Sequence, residues 1–148
     1  MNNYIGYASF AALIDDDEHS AHLLTRTLVD QGAHGVQDYG NANNALIRLK
    51  AVLGDPTAAW PAVIIVDLKA HSGANLEFVD TIGQLTLQCD VPVVVLTPDR
   101  DEAHRQLLLK SGAAAVFPRH ADRDAYRRVA ADIVEFWTLT GRPEAVGM

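Results

Sequence analysis

The run Val63, Ile64, Ile65, Val66, Asp67, Leu68 constrains this chain more than any other stretch. It is β-branched and apolar on both alternating faces, and a carboxylate stands near its end. A strand apolar on both sides must be covered on both sides, which is the signature of a parallel sheet held between two layers of helices. Asp67 then lies at the C-terminal mouth of that strand. In open α/β sheets the reactive crevice lies outside the carboxyl ends of the strands, so an ionisable group there is placed for chemistry rather than packing.

The rest of the chain supplies partners for that strand. Residues 10–14 form a short apolar run that halts at Asp15, Asp16, Asp17 and Glu18, which predicts a first strand with acidic residues at its C-terminal end. Leu23, Leu24, Thr27, Leu28 and Gln31 then recur at helical intervals, with Asp17 or Glu18 to cap the start and Gly32 the end. Residues 35–39 are too polar for a central strand and predict an edge strand. Asn41 caps a helix with Ala45, Leu46, Leu49 and Val52 inward. After Asp67, a polar connection over 69–75 leads to a helix with Leu76, Val79, Ile82 and Leu85 inward. A fourth strand follows over 93–97. Pro98, Asp99 and Arg100 then make a turn before a helix closed by Gly112. Residues 113–117 predict a fifth strand ending at Pro118, Arg119 and His120; Asp122 caps a last helix with Tyr126, Val129, Ile133 and Phe136 on one stripe. This alternation predicts an α/β, doubly wound (βα)5 three-layer sandwich of the flavodoxin-like type, with a five-stranded parallel sheet in the order 2-1-3-4-5.

The 148 residues suit one domain, expected over 9–140, with a flexible leader at 1–8 and a flexible tail at 141–148. No apolar stretch approaches the ~18 residues a membrane span needs, so no membrane association is expected. The start lacks a basic region followed by an apolar core, and a single cysteine, Cys89, agrees with a reducing compartment; a cytoplasmic location is expected. A formal net charge of −7 without a basic stripe argues against direct contact with nucleic acid. Neither a glycine-rich fingerprint nor a P-loop follows any strand, which removes the dinucleotide and P-loop readings.

In the order 2-1-3-4-5, the C-terminal ends of strands one, three and four bring Asp15, Asp16, Asp67 and Thr97 to one place, with Arg119 arriving from the fifth. Clustered carboxylates repel one another unless a cation sits among them. Mg²⁺ is the expected occupant, since it takes hard oxygen ligands and accepts one or two carboxylates together with a phosphate. A hydroxyl and a guanidinium facing such a site suit phosphoryl oxygens.

With the runs Ala12-Leu13-Ile14-Asp15-Asp16-Asp17, Val66-Asp67-Leu68, Pro92-Val93-Val94-Val95-Leu96-Thr97 and Lys110-Ser111-Gly112-Ala113 in this order, the chain resembles a response-regulator receiver domain of the CheY-like type over roughly residues 10–135. The resemblance implies that Asp67 accepts a phosphoryl group from a histidine kinase or phosphotransfer protein. It implies Mg²⁺ held directly by Asp16 and Asp67, through water by Asp15, and by the backbone carbonyl of Lys69. Thr97 would bond a phosphoryl oxygen and relay the event inward, and Arg119 stands where the family has a lysine. It further implies a phosphoacceptor rather than an enzyme, with at most self-catalysed phosphoryl transfer and autodephosphorylation. The receiver resemblance also implies signalling by binding a downstream protein; receivers often pair through the last helix and its neighbouring strand, and the run Val134-Glu135-Phe136-Trp137 resembles small stand-alone regulators associated with phytochrome-type kinases, which implies a homodimer.

The sequence departs from the family around the site. Val116 stands where an aromatic is usual, His120 follows Arg119 in place of proline, Ala70 and His71 replace methionine and proline, Pro98 follows the threonine, and Asn75 replaces a glycine with a residue that tolerates left-handed backbone. These departures motivate a second reading, a degenerate pseudo-receiver that binds partners constitutively. A third, a phosphatase of the haloacid-dehalogenase type, needs a threonine or valine where His19 stands and a cap the chain has no room for. His19, His71 and His120 ring the expected mouth, but their spacing fits no zinc pattern, and Cys89 reads as a packed or loop thiol.

Overall fold

The computed structural model describes residues 10–98 and 101–140. The expected leader and tail and part of the 98–100 turn lie outside them. Five strands, β1 (Ala11–Asp15), β2 (Val36–Gly40), β3 (Val63–Asp67), β4 (Val93–Thr97) and β5 (Ala115–Pro118), alternate with five helices, α1 (Glu18–Asp30), α2 (Ala42–Leu53), α3 (Ala74–Cys89), α4 (Glu102–Ser111) and α5 (Arg123–Thr140). The sheet is parallel, in the order β2-β1-β3-β4-β5. This is the flavodoxin-like order, with the polar β2 at one edge.

Alternation along the strands divides the core in two. Ala12, Ile14, Ile64, Val66, Val93 and Val95 face α2 and α3, burying Leu49, Leu53, Phe78, Val79 and Ile82, with Leu108 of α4 joining them. Ala11, Leu13, Val63, Ile65, Val94 and Leu96 face α1 and α5 and bury Leu24, Leu28, Val129, Ala130, Ile133 and Trp137. The central strands are buried along their whole length, so each must be apolar on both faces.

Two helical stripes differ in detail from the periodicity. On α3 the buried set includes Phe78 and Thr86, while Leu76 and Leu85 pack at its margin; on α5, Trp137 is in the core and Phe136 is partly buried. A 3.6-residue period sets the i+3 and i+4 positions at similar angles either side of a stripe, as Phe136 and Trp137 stand to Ile133, and packing chooses between them.

The caps follow the sequence. Asp17 accepts from the backbone N–H of His19 and Ser20, at 3.0 and 3.1 Å, and Asn41 from that of Asn44 at 2.9 Å. The carboxylate of Asp122 accepts from the N–H of Ala125 at 2.9 Å. Gly112 closes α4 at φ +130°, where a side chain would be strained. A Cβ on Gly83 would come within 2.8 Å of the Ser111 carbonyl, so a residue without one lets α3 approach the end of α4.

Candidate functional site at the sheet mouth

β1 and β3 pair in register so that Asp15 lies directly opposite Asp67. Both are buried, at 4% and 2% exposure, so their charges cannot be left to water. Two cations meet them. The ammonium of Lys69 lies 2.8 Å from Asp15 Oδ1, 3.1 Å from Asp67 Oδ2 and 2.9 Å from the Asp67 carbonyl oxygen. From beyond β5, the Arg119 Nε and Nη2 both reach Asp67 Oδ1, at 2.7 and 2.6 Å. Its Nη2 also lies 3.4 and 3.3 Å from the carbonyls of Leu68 and Leu96, which ties the ends of β3 and β4 together.

Asp16, one residue beyond β1, faces elsewhere. Its two carboxylate oxygens accept the backbone N–H groups of Lys69 and Ala70, each at 2.9 Å. It therefore fixes the start of the β3–α3 loop and with it the base of the Lys69 side chain. Thr97 is buried at the end of β4 opposite Pro118, and its carbonyl accepts the N–H of Arg119 at 2.9 Å. The fold thus brings Asp15, Asp67, Thr97 and Arg119 to one mouth, with Asp16 at its rim.

Burial raises the Asp15 carboxyl above the usual aspartate range; the hydrogen bonds from Lys69 and from the Asp17 N–H oppose this, and the Asp67 charge adds to it. The Oδ2 of Asp15 is buried without a hydrogen-bond partner among the described residues. The Tyr126 phenol is pushed up by burial first and then by the charges of Asp67 and Asp15, which places it in the field of the same acids.

Three features here were not read from the sequence. Lys69 was expected to offer only its backbone carbonyl, yet its side chain reaches both acids; positions 67 and 69 share a face wherever the chain stays extended, and that was the available signal. Tyr126, read only as part of the last helix's stripe, lies in the field of the acids. Asn75 is not in left-handed backbone but in the first turn of α3. Its buried amide accepts the Leu68 N–H at 2.8 Å and donates to the Leu96 carbonyl at 3.0 Å, so it pins the ends of β3 and β4.

Asp15, Asp16, Asp67 and the Lys69 carbonyl offer the hard oxygens a divalent ion takes, but the position between Asp15 and Asp67 is taken by an ammonium, and the two oxygens of Asp16 each accept a backbone N–H. Among the described residues no group of three or more His, Cys, Asp or Glu is placed to hold a metal ion. The His19, His71 and His120 ring assembles no cluster either; His71 instead approaches Glu77 on the surface at 3.5 Å. Cys89 is partly buried, its thiol 3.8 Å from the Leu53 carbonyl.

This fold is shared with solved receiver domains of response regulators. The chain is similar to the Mn(2+)-bound form of response regulator Rcp1, with a TM-score of 0.70 and 19% identity, covering 86% of this chain and 93% of that one. It is similar to the phosphorylated cyanobacterial phytochrome response regulator RcpA, with a TM-score of 0.72 and 19% identity over 90% and 96% of the two chains. The chemotaxis protein CheY4 of Vibrio cholerae gives a TM-score of 0.67 and 18% identity over 86% and 97%. In sequence, the phosphate regulon transcriptional regulatory protein PhoB of Klebsiella pneumoniae is 27% identical over 103 residues, 68% of this chain and 41% of that protein. The chain therefore spans about two fifths of the length of this curated relative. No family model matches the chain. The fold is that of a receiver domain. No described helix is long and apolar enough to cross a membrane.

Proposed function

We propose that the chain is a receiver in two-component signalling that accepts a phosphoryl group on Asp67 and passes the signal on by binding another protein. The observation that carries this reading is the setting of Asp67: a buried carboxylate at the mouth of a central parallel strand, faced by a guanidinium on one oxygen and an ammonium on the other. Structural cross-links would explain one ion pair; two cations converging on one strand-end acid also suit the oxygens of an incoming phosphoryl group.

In the step proposed, Asp67 Oδ2, which has the single longer contact, attacks the phosphorus of a phosphohistidine donor. The new O–P bond forms as the P–N bond breaks, and the donor imidazole leaves with the electron pair and takes up a proton. Arg119 and Lys69 meet the added negative charge. The acyl phosphate is later hydrolysed by water to aspartate and inorganic phosphate, so the chain is a phosphoacceptor and turns over no separate substrate. Mg²⁺, the ion expected from clustered carboxylates, would need the position that Lys69 holds, and the transfer is not routed through it.

Incubation with acetyl phosphate, read by intact mass, tests the assignment. One phosphoryl increment on the wild type and none on Asp67→Asn is expected. An increment that persists in Asp67→Asn overturns the site, and a folded wild type that takes none overturns the reading. That last result would favour the constitutive adapter, a second reading that draws on the side chain of Asp67 being only 3% exposed with both oxygens already paired.

A further inference from the structure

We infer that Lys69 is a tethered replacement for a divalent cation at this mouth: its ammonium holds the place between Asp15 and Asp67 and keeps Mg²⁺ out. The inference rests on the reading above, in which the mouth is the phosphoryl site, but its geometry stands on the contacts alone.

An ammonium has three N–H donors and no acceptor. Lys69 donates to Asp15 Oδ1 and to the Asp67 carbonyl, and its ammonium lies in ion-pair contact with Asp67 Oδ2 at 3.1 Å, so one tethered cation meets both acids. These N···O distances suit an ammonium, whereas Mg²⁺ demands six oxygens at about 2.0–2.1 Å in octahedral array and gives up its water reluctantly. The side chain is not a solvated lysine that happens to pass by. It is 24% exposed, and its own backbone N–H is held by Asp16. Asp16 thereby anchors the residue whose side chain fills the space between the other two acids. Lys69 meets only one oxygen of Asp15, and the other, Oδ2, is buried without a hydrogen-bond partner among the described residues. A free divalent ion would have to displace a cation that is covalently tethered beside its own site, and would meet its repulsion at close range.

Direct metal binding tests this without reference to phosphorylation. Mn²⁺ is titrated into the full chain and free Mn²⁺ is followed by its electron paramagnetic resonance signal, for wild type, Lys69→Met and Lys69→Arg, with a thermal melt of each as the folding control. Lys69→Met, which keeps length and removes charge, is expected to bind Mn²⁺ at least roughly tenfold more tightly than wild type, while Lys69→Arg stays like wild type. Adding Asp15→Asn to Lys69→Met is expected to abolish the gain, which locates the ion. Equal Mn²⁺ affinity in wild type and Lys69→Met overturns the inference. So does a saturable Mn²⁺ site in the wild type that Asp15→Asn removes, a result that stands even if Lys69→Met fails to fold. Failure of the phosphoacceptor reading is a different result: no phosphoryl increment from acetyl phosphate, whatever the Mn²⁺ isotherms show.

Discussion

Ile65 and Asp67 stand two residues apart on β3, both buried, and opposite means hold them. Ile65 lies in the body of the sheet between Leu13 and Val94, fully enclosed by apolar side chains from the strands, α1 and α5. Its burial is favourable in any direction, because the hydrophobic term follows area and not angle. Asp67 lies at the mouth, where each oxygen depends on one particular cation delivered from a particular place, Lys69 from the adjoining loop and Arg119 from beyond β5. The body is therefore sensitive to volume and the mouth to identity. Changes in the body should move stability and leave the chemistry alone, and changes at the mouth should do more to chemistry than to stability.

Ile65→Ala should give the largest loss of stability, about 2–5 kcal/mol by urea denaturation, and Ile65→Val only about 0.5–1.5 kcal/mol. In both, the folded fraction should take up phosphoryl from acetyl phosphate as the wild type does; a site defect in Ile65→Val would break the distinction between the regions. Asn75→Ala sits between them. It leaves the buried Leu68 N–H without its partner, at about 1–3 kcal/mol for a buried group left unpaired, while the Leu96 carbonyl keeps its Arg119 contact, and it should slow phosphoryl uptake because one of the two ties between the ends of β3 and β4 is lost. An Asn75→Ala protein that is destabilised but accepts phosphoryl at the wild-type rate would place Asn75 with the body.

Asp55→Ala, outside both regions, should have the smallest effect. The hydroxyl and N–H of Thr57 hold the Asp55 carboxyl below its usual range. A lowered folded value means that this aspartate stabilises the fold above the unfolded value of about 3.9 and ceases to as pH falls through the folded one. The gap between wild type and Asp55→Ala should thus be present at neutral pH and close in acid. Trp60, whose indole N–H donates to the Asp55 carbonyl at 3.0 Å, reports the unfolding by fluorescence. A gap unchanged in acid would show that the Thr57 contacts contribute nothing.

Much of this was legible in the chain. The runs at 63–66 and 93–96 are apolar on both faces, and only a doubly covered parallel strand uses them, so the layers and the central position of Asp67 follow from pattern. The polar residues of β2 marked the edge in the same way. Less legible was which of two adjacent helical residues turns inward, as Phe136 and Trp137 illustrate. At the site, residue types and strand ends were legible, but contacts between positions more than fifty residues apart, such as Asp16 with the N–H groups of Lys69 and Ala70, were not.

The sequence by itself determined the α/β sandwich, its strand order and a carboxylate at its mouth, because period and burial are local properties that every strand repeats. Only the tertiary structure decided which cation meets that carboxylate. That depends on a loop fixed by Asp16, on an arginine arriving from just beyond the last strand, and on where a lysine's ammonium comes to lie, and a one-dimensional pattern holds none of these.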